Sequence, residues 1–77
     1  MNTAGARKKC GKELLKIAPY IEADDRKKAM SEFNVSYVTI SRYLTGKVAN
    51  LIFGINLLNF FKRRIQQRAA ALSELTR

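Results

Sequence analysis

A chain of 77 residues has room for one compact domain and none for a catalytic domain with a second module attached. It holds one cysteine, Cys10, and no histidine, which excludes an internal disulfide framework, a zinc site of the usual Cys/His kind and any nucleophilic mechanism with imidazole as the base. Fifteen Lys and Arg against six Asp and Glu give a formal net charge of +9, far more than solubility asks of so short a chain, and a polyanion is the partner such a surplus attracts.

In chain order, residues 1–8, with Arg7 and Lys8, are expected to form a flexible basic arm. Ala4 to Lys9 is small and basic without an apolar stretch behind it, so no secretory leader is expected and the cytoplasm is the expected compartment. Leu14, Leu15, Ile17 and Ala18 form a stripe that predicts a first helix from Lys9 to about Ala18, with Pro19 marking its end or a kink. Asp24 is the expected N-cap of a second helix, with Asp25 in its first turn and Ala29, Met30 and Phe33 on its buried face.

Asn34 then suits a sharp turn, because it enters the left-handed region at little cost. Val35 is expected to plug the angle between two helices, and Ser36 to cap a third. That helix should carry Ile40 and Leu44 inward, with Val38 and Tyr43 on its flanks, and stop at Gly46. Asn50 is the expected cap of a long fourth helix that reaches at least Gln67 and at most about Leu75. The stretch Val48 to Phe61 is its most apolar part, but Asn50, Asn56 and Asn59 interrupt it, and a bilayer span needs about 20 apolar residues. No membrane partner is therefore expected.

Leu51, Leu58, Ile65 and Leu72 recur at heptad spacing, joined by Ile55, Phe61, Ala69 and Leu75 on neighbouring positions. Such a seam serves either to pack against the first helix or to join two copies of the chain, and so small a domain cannot easily cover that much apolar surface alone. A homodimer through the C-terminal helix is accordingly expected. Charge is one-sided as well. Glu13, Glu22, Asp24, Asp25 and Glu32 precede Phe33, the next acid is Glu74, and Arg42, Lys47, Lys62, Arg63, Arg64 and Arg68 lie between, unopposed in sequence. A positive field of that kind reaches phosphate across about one Debye length, ~8 Å in physiological salt.

From Arg26 to Gly46 the pattern of small or apolar residues around a turn former looks like a helix-turn-helix. Within it Val35-Ser36-Tyr37-Val38-Thr39-Ile40-Ser41-Arg42 closely resembles the turn and recognition helix of lactose-repressor-family regulators, which read V-S-x-x-T-V/I-S-R. That family continues into a hinge and a sugar-binding domain for which this chain has no residues. From Arg42 onward, R-Y-L-T-G-K followed by an apolar helix is closer to small phage Cro and repressor domains. The likeness covers roughly Asp24 to Arg64. It implies an all-α bundle of four or five helices with a helix-turn-helix and a long C-terminal helix, in which residues 9–68 are the DNA-binding domain and 69–77 an extension. It also implies a repressor-type transcriptional regulator of phage or mobile-element kind, acting on double-stranded DNA.

Carried over by position, the resemblance implies that Tyr37, Val38 and Arg42 face bases, with Ser36, Thr39 and Ser41 near sugar or phosphate. Arg42 can give guanine O6 and N7 a bidentate pair, worth about 1 to 3 kcal/mol of discrimination. Tyr37 can hydrogen-bond or lie against a thymine methyl. Val38 departs from the polar residue common in that family, so it favours a thymine methyl and the family's sequence preference does not transfer. Alternatives stay open: Tyr37 could pack on the domain surface, and Arg42 could serve phosphate alone. Arg26 and Lys27, at the positively polarised start of the second helix, are assigned to phosphate, as are Lys47 and the backbone near Asn50.

Two other functions compete. The run Leu57 to Arg64 could form a basic amphipathic helix on an anionic membrane surface, which vesicle flotation would detect. The tail Ala69 to Leu75 could dock a larger protein in an adaptor that reuses the fold. An enzyme is not expected, since Asp24 and Asp25, adjacent on a helix, point about 100° apart. No cofactor, metal or small-molecule ligand is expected either.

Overall fold

The computed structural model describes residues 3–75 of the chain. Its α-helices are α1 (Thr3–Ile17), α2 (Ala23–Phe33), α3 (Tyr37–Leu44) and α4 (Leu51–Leu75), with one turn of 3-10 helix, Ala18–Tyr20, between α1 and α2. The fold is all-α, with a long C-terminal helix.

Helix α1 begins at Thr3, so residues 4–8 of the expected arm are its first turns, and residues 1–2 of that arm lie outside the described residues. Those residues carry no apolar period of their own, and a helix extends more easily from an existing turn than it starts afresh. Only one face of α1 is buried: Leu14 is fully enclosed, Cys10 and Gly11 are buried, and Leu15 faces solvent. Burial also raises the Cys10 thiol above its ordinary pKa, which keeps it in the unreactive protonated form.

The start of α2 differs from the sequence expectation. Glu22, not Asp24, is the residue before the first helical turn, and its N–H donates to Asp25 Oδ2 at 2.9 Å. A carboxylate three residues into a helix can reach back to the orphan donor at the cap. At the other end Asn34 stands at φ 53°, ψ 52°, and its N–H bonds the Met30 carbonyl. It is the one non-glycine residue with positive φ among the described residues. The chain then needs only Val35 and Ser36 before α3 begins, and Ser36 Oγ accepts from the Thr39 N–H at 3.3 Å.

Helix α3 buries Ile40, Tyr43 and Leu44. Tyr43 is thus a core residue and not a flanking one, because its hydroxyl finds a partner: it accepts from the Asn50 N–H at 2.9 Å, across the loop that joins α3 to α4. A buried phenol tolerates enclosure when its polar end is satisfied. Gly46, at φ 91°, ends α3, and Asn50 Oδ1 caps α4 by accepting from the Phe53 N–H at 3.0 Å.

The core gathers Leu14 of α1, Ala29 of α2, Ile40 of α3, and Leu57 and Phe61 of α4, each fully enclosed. Phe33, Phe53 and Phe60 meet edge to face beside it, and Tyr43 meets Phe53 in the same way at 4.9 Å between centroids. Leu58 and Phe61 are buried in this core, so they are not free to form the apolar face of a membrane-surface helix. Packing of α1 along α4 is the most extensive pairing of elements. Beyond Arg68 every described residue of α4 is exposed, Leu72 and Leu75 included. That projecting end makes the molecule elongated, 45 × 25 × 17 Å. No described helix is long and apolar enough to cross a membrane.

Candidate nucleic-acid interface

Three buried side chains set the orientation of α3. With Ile40, Tyr43 and Leu44 turned inward, the opposite side of the helix presents Val38, 62% exposed, and Arg42 to solvent, while Tyr37, 53% exposed as the first helical residue, stands about 100° around the axis from Val38, toward α2. Val38 and Arg42 are four residues apart and so stack on one face of a helix. Tyr37 stands at its N-terminal edge. The three residues expected to face bases are therefore all accessible, Val38 and Arg42 on one face and Tyr37 beside it at the start of the helix.

The residues expected at the DNA backbone divide. Ser36 and Thr39 stay at the surface, and their hydroxyls pair with each other at 3.2 Å. Ser41 is a correction. Its Oγ is closed off from solvent and has no hydrogen-bond partner, so it cannot reach a phosphate from where it stands. Ser41 is partly enclosed in the middle of α3, next in the chain to the buried Ile40, whereas Tyr37 keeps its exposure as the first residue of the helix. A buried hydroxyl without a partner costs about 1 to 3 kcal/mol, and Ala is the better helix former. Ser41→Ala is expected to raise stability by about 1 kcal/mol in urea unfolding while leaving affinity for DNA unchanged; a weaker complex would restore Ser41 to the interface.

Arg26, expected on phosphate, is half-buried and donates through Nη1 to the Tyr37 hydroxyl at 3.0 Å. Lys27 is exposed beside them, and Arg26, Lys27 and Tyr37 line one open cleft with Ile21, Ala23 and Met30. Lys47 is exposed in the loop after α3. Asn50 is exposed, but its own N–H is committed to Tyr43 and its Oδ1 to Phe53, which leaves the side-chain amide nitrogen and the first N–H groups of α4 as the donors there. Arg42, Lys27 and Lys47 make no ion pair among the described residues, so their full charge is available to a ligand.

Two of the cations read as unopposed are not. Arg64 Nε lies 2.7 Å from Asp25 Oδ1 and its Nη2 lies 3.1 Å from Asp24 Oδ2. Arg68 pairs with Asp25 at 3.0 Å and with Glu22 at 2.8 Å, and donates to the Tyr20 carbonyl at 2.7 Å. Asp25 itself is 1% exposed. Burial by itself would raise its carboxyl pKa, but the Glu22 N–H and the two guanidinium groups outweigh that and hold it below the ordinary carboxylate range. The acidic start of α2 is therefore spent on the distal part of α4. Among the described residues after Phe33, the free positive charge contracts to Arg42, Lys47, Lys62 and Arg63.

Nothing about Arg64 or Arg68 in sequence signals this pairing, since their partners stand about 40 positions away; only the surplus of acid at Glu22, Asp24 and Asp25 hints that something basic must answer it. Among the described residues no three Cys, Asp or Glu side chains converge in a way that could hold a metal ion. No protein-family model, curated protein or solved structure matches the chain.

Proposed function

We propose that this protein binds double-stranded DNA sequence-specifically, as a repressor-type regulator of phage or mobile-element kind, with α3 in the major groove. The observation that carries this is the exposed face of Val38 and Arg42, with exposed Tyr37 at its start, on a short helix delivered by a three-residue turn, with unpaired Lys27 and Lys47 on either side of it in sequence. In this docking α2 lies across the phosphates and the first turns of α3 meet base edges. Arg42 donates to guanine, Val38 packs on a thymine methyl, and Lys27 and Lys47 neutralise phosphates.

Two copies would bind two half-sites about one helical turn apart, joined through the exposed end of α4, where Leu72 is 59% and Leu75 81% exposed. The cytoplasm is the compartment in which such a protein meets DNA. Selection of bound duplexes from a random pool tests both ideas: an enriched motif is expected, in palindromic form for a dimer. Arg42→Ala should then lose the preference at one base pair, about 1 to 3 kcal/mol. Lys47→Ala should weaken all duplexes alike and reduce the salt slope by about one unit. Equal effects of both variants on enriched and random DNA would remove α3 from the role of reader.

A further inference from the structure

The contact between Arg26 and Tyr37 has two parts. Arg26 Nη1 donates to the Tyr37 hydroxyl at 3.0 Å, and the guanidinium carbon lies 5.7 Å from the centroid of the Tyr37 ring. One long side chain thus meets the phenol at its polar end and over its π-face, within the reach of a cation–π attraction. We infer that Arg26 is a positioning residue that fixes the Tyr37 hydroxyl as an outward hydrogen-bond donor, so that Tyr37 selects base edges presenting an acceptor; this rests on the DNA-binding function proposed above.

The chemistry follows from the inventory of groups. A guanidinium has donors and no acceptor, so in any bond between the two the phenol oxygen must accept. The hydrogen of the hydroxyl stays free for a third party and is made a better donor by the positive charge bonded behind it, while the oxygen, already accepting from a cation, becomes a poorer acceptor for a second bond. Guanine O6 and N7, adenine N7 and thymine O4 can receive that hydrogen in the major groove. The amino groups of cytosine and adenine are donors, and they meet an oxygen already engaged. An unheld tyrosine could accept from those amino groups as readily as donate.

Placement favours this role. Tyr37 is the first residue of α3, and the N-terminal turns are the part of such a helix that approaches the bases. It is half-exposed while Arg26 is partly enclosed, so the support stands on the protein side and the reading group on the open side. Ordering an exposed tyrosine on binding has an entropic cost, and a side chain already held at two points has less freedom to lose. Arg26 keeps further N–H groups that point elsewhere, which allows a phosphate contact to be shared with the same residue.

The test compares wild type, Arg26→Ala, Tyr37→Phe and the double variant, each as the full chain, on the duplex enriched from the random pool and on its single-base-pair variants. Both side chains are at or near the surface, so superimposable thermal melts are expected and are the check on folding. Tyr37→Phe should lose about tenfold of preference at one base pair, the scale of one hydrogen bond. Arg26→Ala should lose most of that preference at the same pair, and the double variant should lose no more than Tyr37→Phe alone. If Arg26→Ala weakens every duplex equally and leaves that preference intact, Arg26 serves phosphate only and the inference is overturned. An indifferent Tyr37→Phe in a protein that still prefers its enriched duplex overturns it too, and leaves the DNA-binding function standing. A wild type with no preference anywhere in the pool removes both.

Discussion

Gly11→Ala is expected to destabilise the fold by about 3 kcal/mol, although the same change in an exposed helix would stabilise it by up to ~1 kcal/mol. The reason is a close approach of two backbones. A Cβ on Gly11 would be driven into the carbonyl oxygen of Gly46, with the carbonyl carbon at 3.0 Å and the Gly46 Cα at 3.2 Å. Every one of those atoms is main chain, so no side-chain rotation relieves the clash. Gly46 cannot yield easily, because it stands at φ 91° in the turn that ends α3. Moving α1 away instead would lift Cys10 and Leu14 out of the core they share with α4. For a domain of this size the loss corresponds to a fall in melting temperature of roughly 10 to 25 °C. An unchanged or higher melting temperature would show that α1 can pivot freely at this contact.

Asp25→Asn is the second large effect, and it tests the network that joins the start of α2 to the distal part of α4. The amide keeps the size of the carboxylate but loses its charge, and its NH2 group would face donors from Arg64, Arg68 or the Glu22 N–H. Breaking a buried pair by removing one partner costs about 3 to 5 kcal/mol when both ions are fully enclosed. Here the guanidinium groups stay 27% and 29% exposed, so water recovers part of the loss and about 2 to 3 kcal/mol is expected.

The pH dependence has a definite sign. The folded-state pKa of Asp25 is depressed, so its contribution is present above the unfolded carboxylate value, ~3.9, and is lost as pH falls through the lower folded value. Wild type should therefore exceed Asp25→Asn in stability at pH 7, and the gap should narrow on going to pH 3 and below. Urea unfolding of both proteins at the two pH values measures it. A gap of the same size at both would mean that the charge of Asp25 contributes nothing.

The parts of this fold that are legible in the sequence are those fixed by neighbours in the chain. Asn34 and Gly46 occupy positive-φ positions where only a few residue types are comfortable, and Ser36 and Asn50 cap the helices that follow them through side chains three residues from their targets. The inward residues of α3 and the exposed Val38 and Arg42 opposite them follow from a period of 3.6. Tyr43 is less legible, since an aromatic with a hydroxyl is equally at home at a surface. Its burial depends on the Asn50 N–H, which the α3–α4 loop brings to it.

The electrostatics were the least legible. Counting charges along the chain assigns Arg64 and Arg68 to the free positive surface, whereas folding returns both to the acidic start of α2. The sequence points to a cap at Asp24, whereas Asp25 reaches back to the Glu22 N–H while also receiving the two arginines. The close pass of Gly11 and Gly46 was equally invisible, because a glycine required by a distant segment has the same letter as one required by its own turn.

Helix α4 runs without interruption from Leu51 to Leu75, so the residues that anchor it and the residues that project from it belong to one rigid rod. Their relative bearing is fixed by helical phase alone. Adding or deleting one residue between Phe61 and Leu72 would swing the projecting end by about 100° around the axis. Length in that segment therefore acts as an angular setting, and the compass direction of Leu72 and Leu75 is written in the number of residues that separate them from the core.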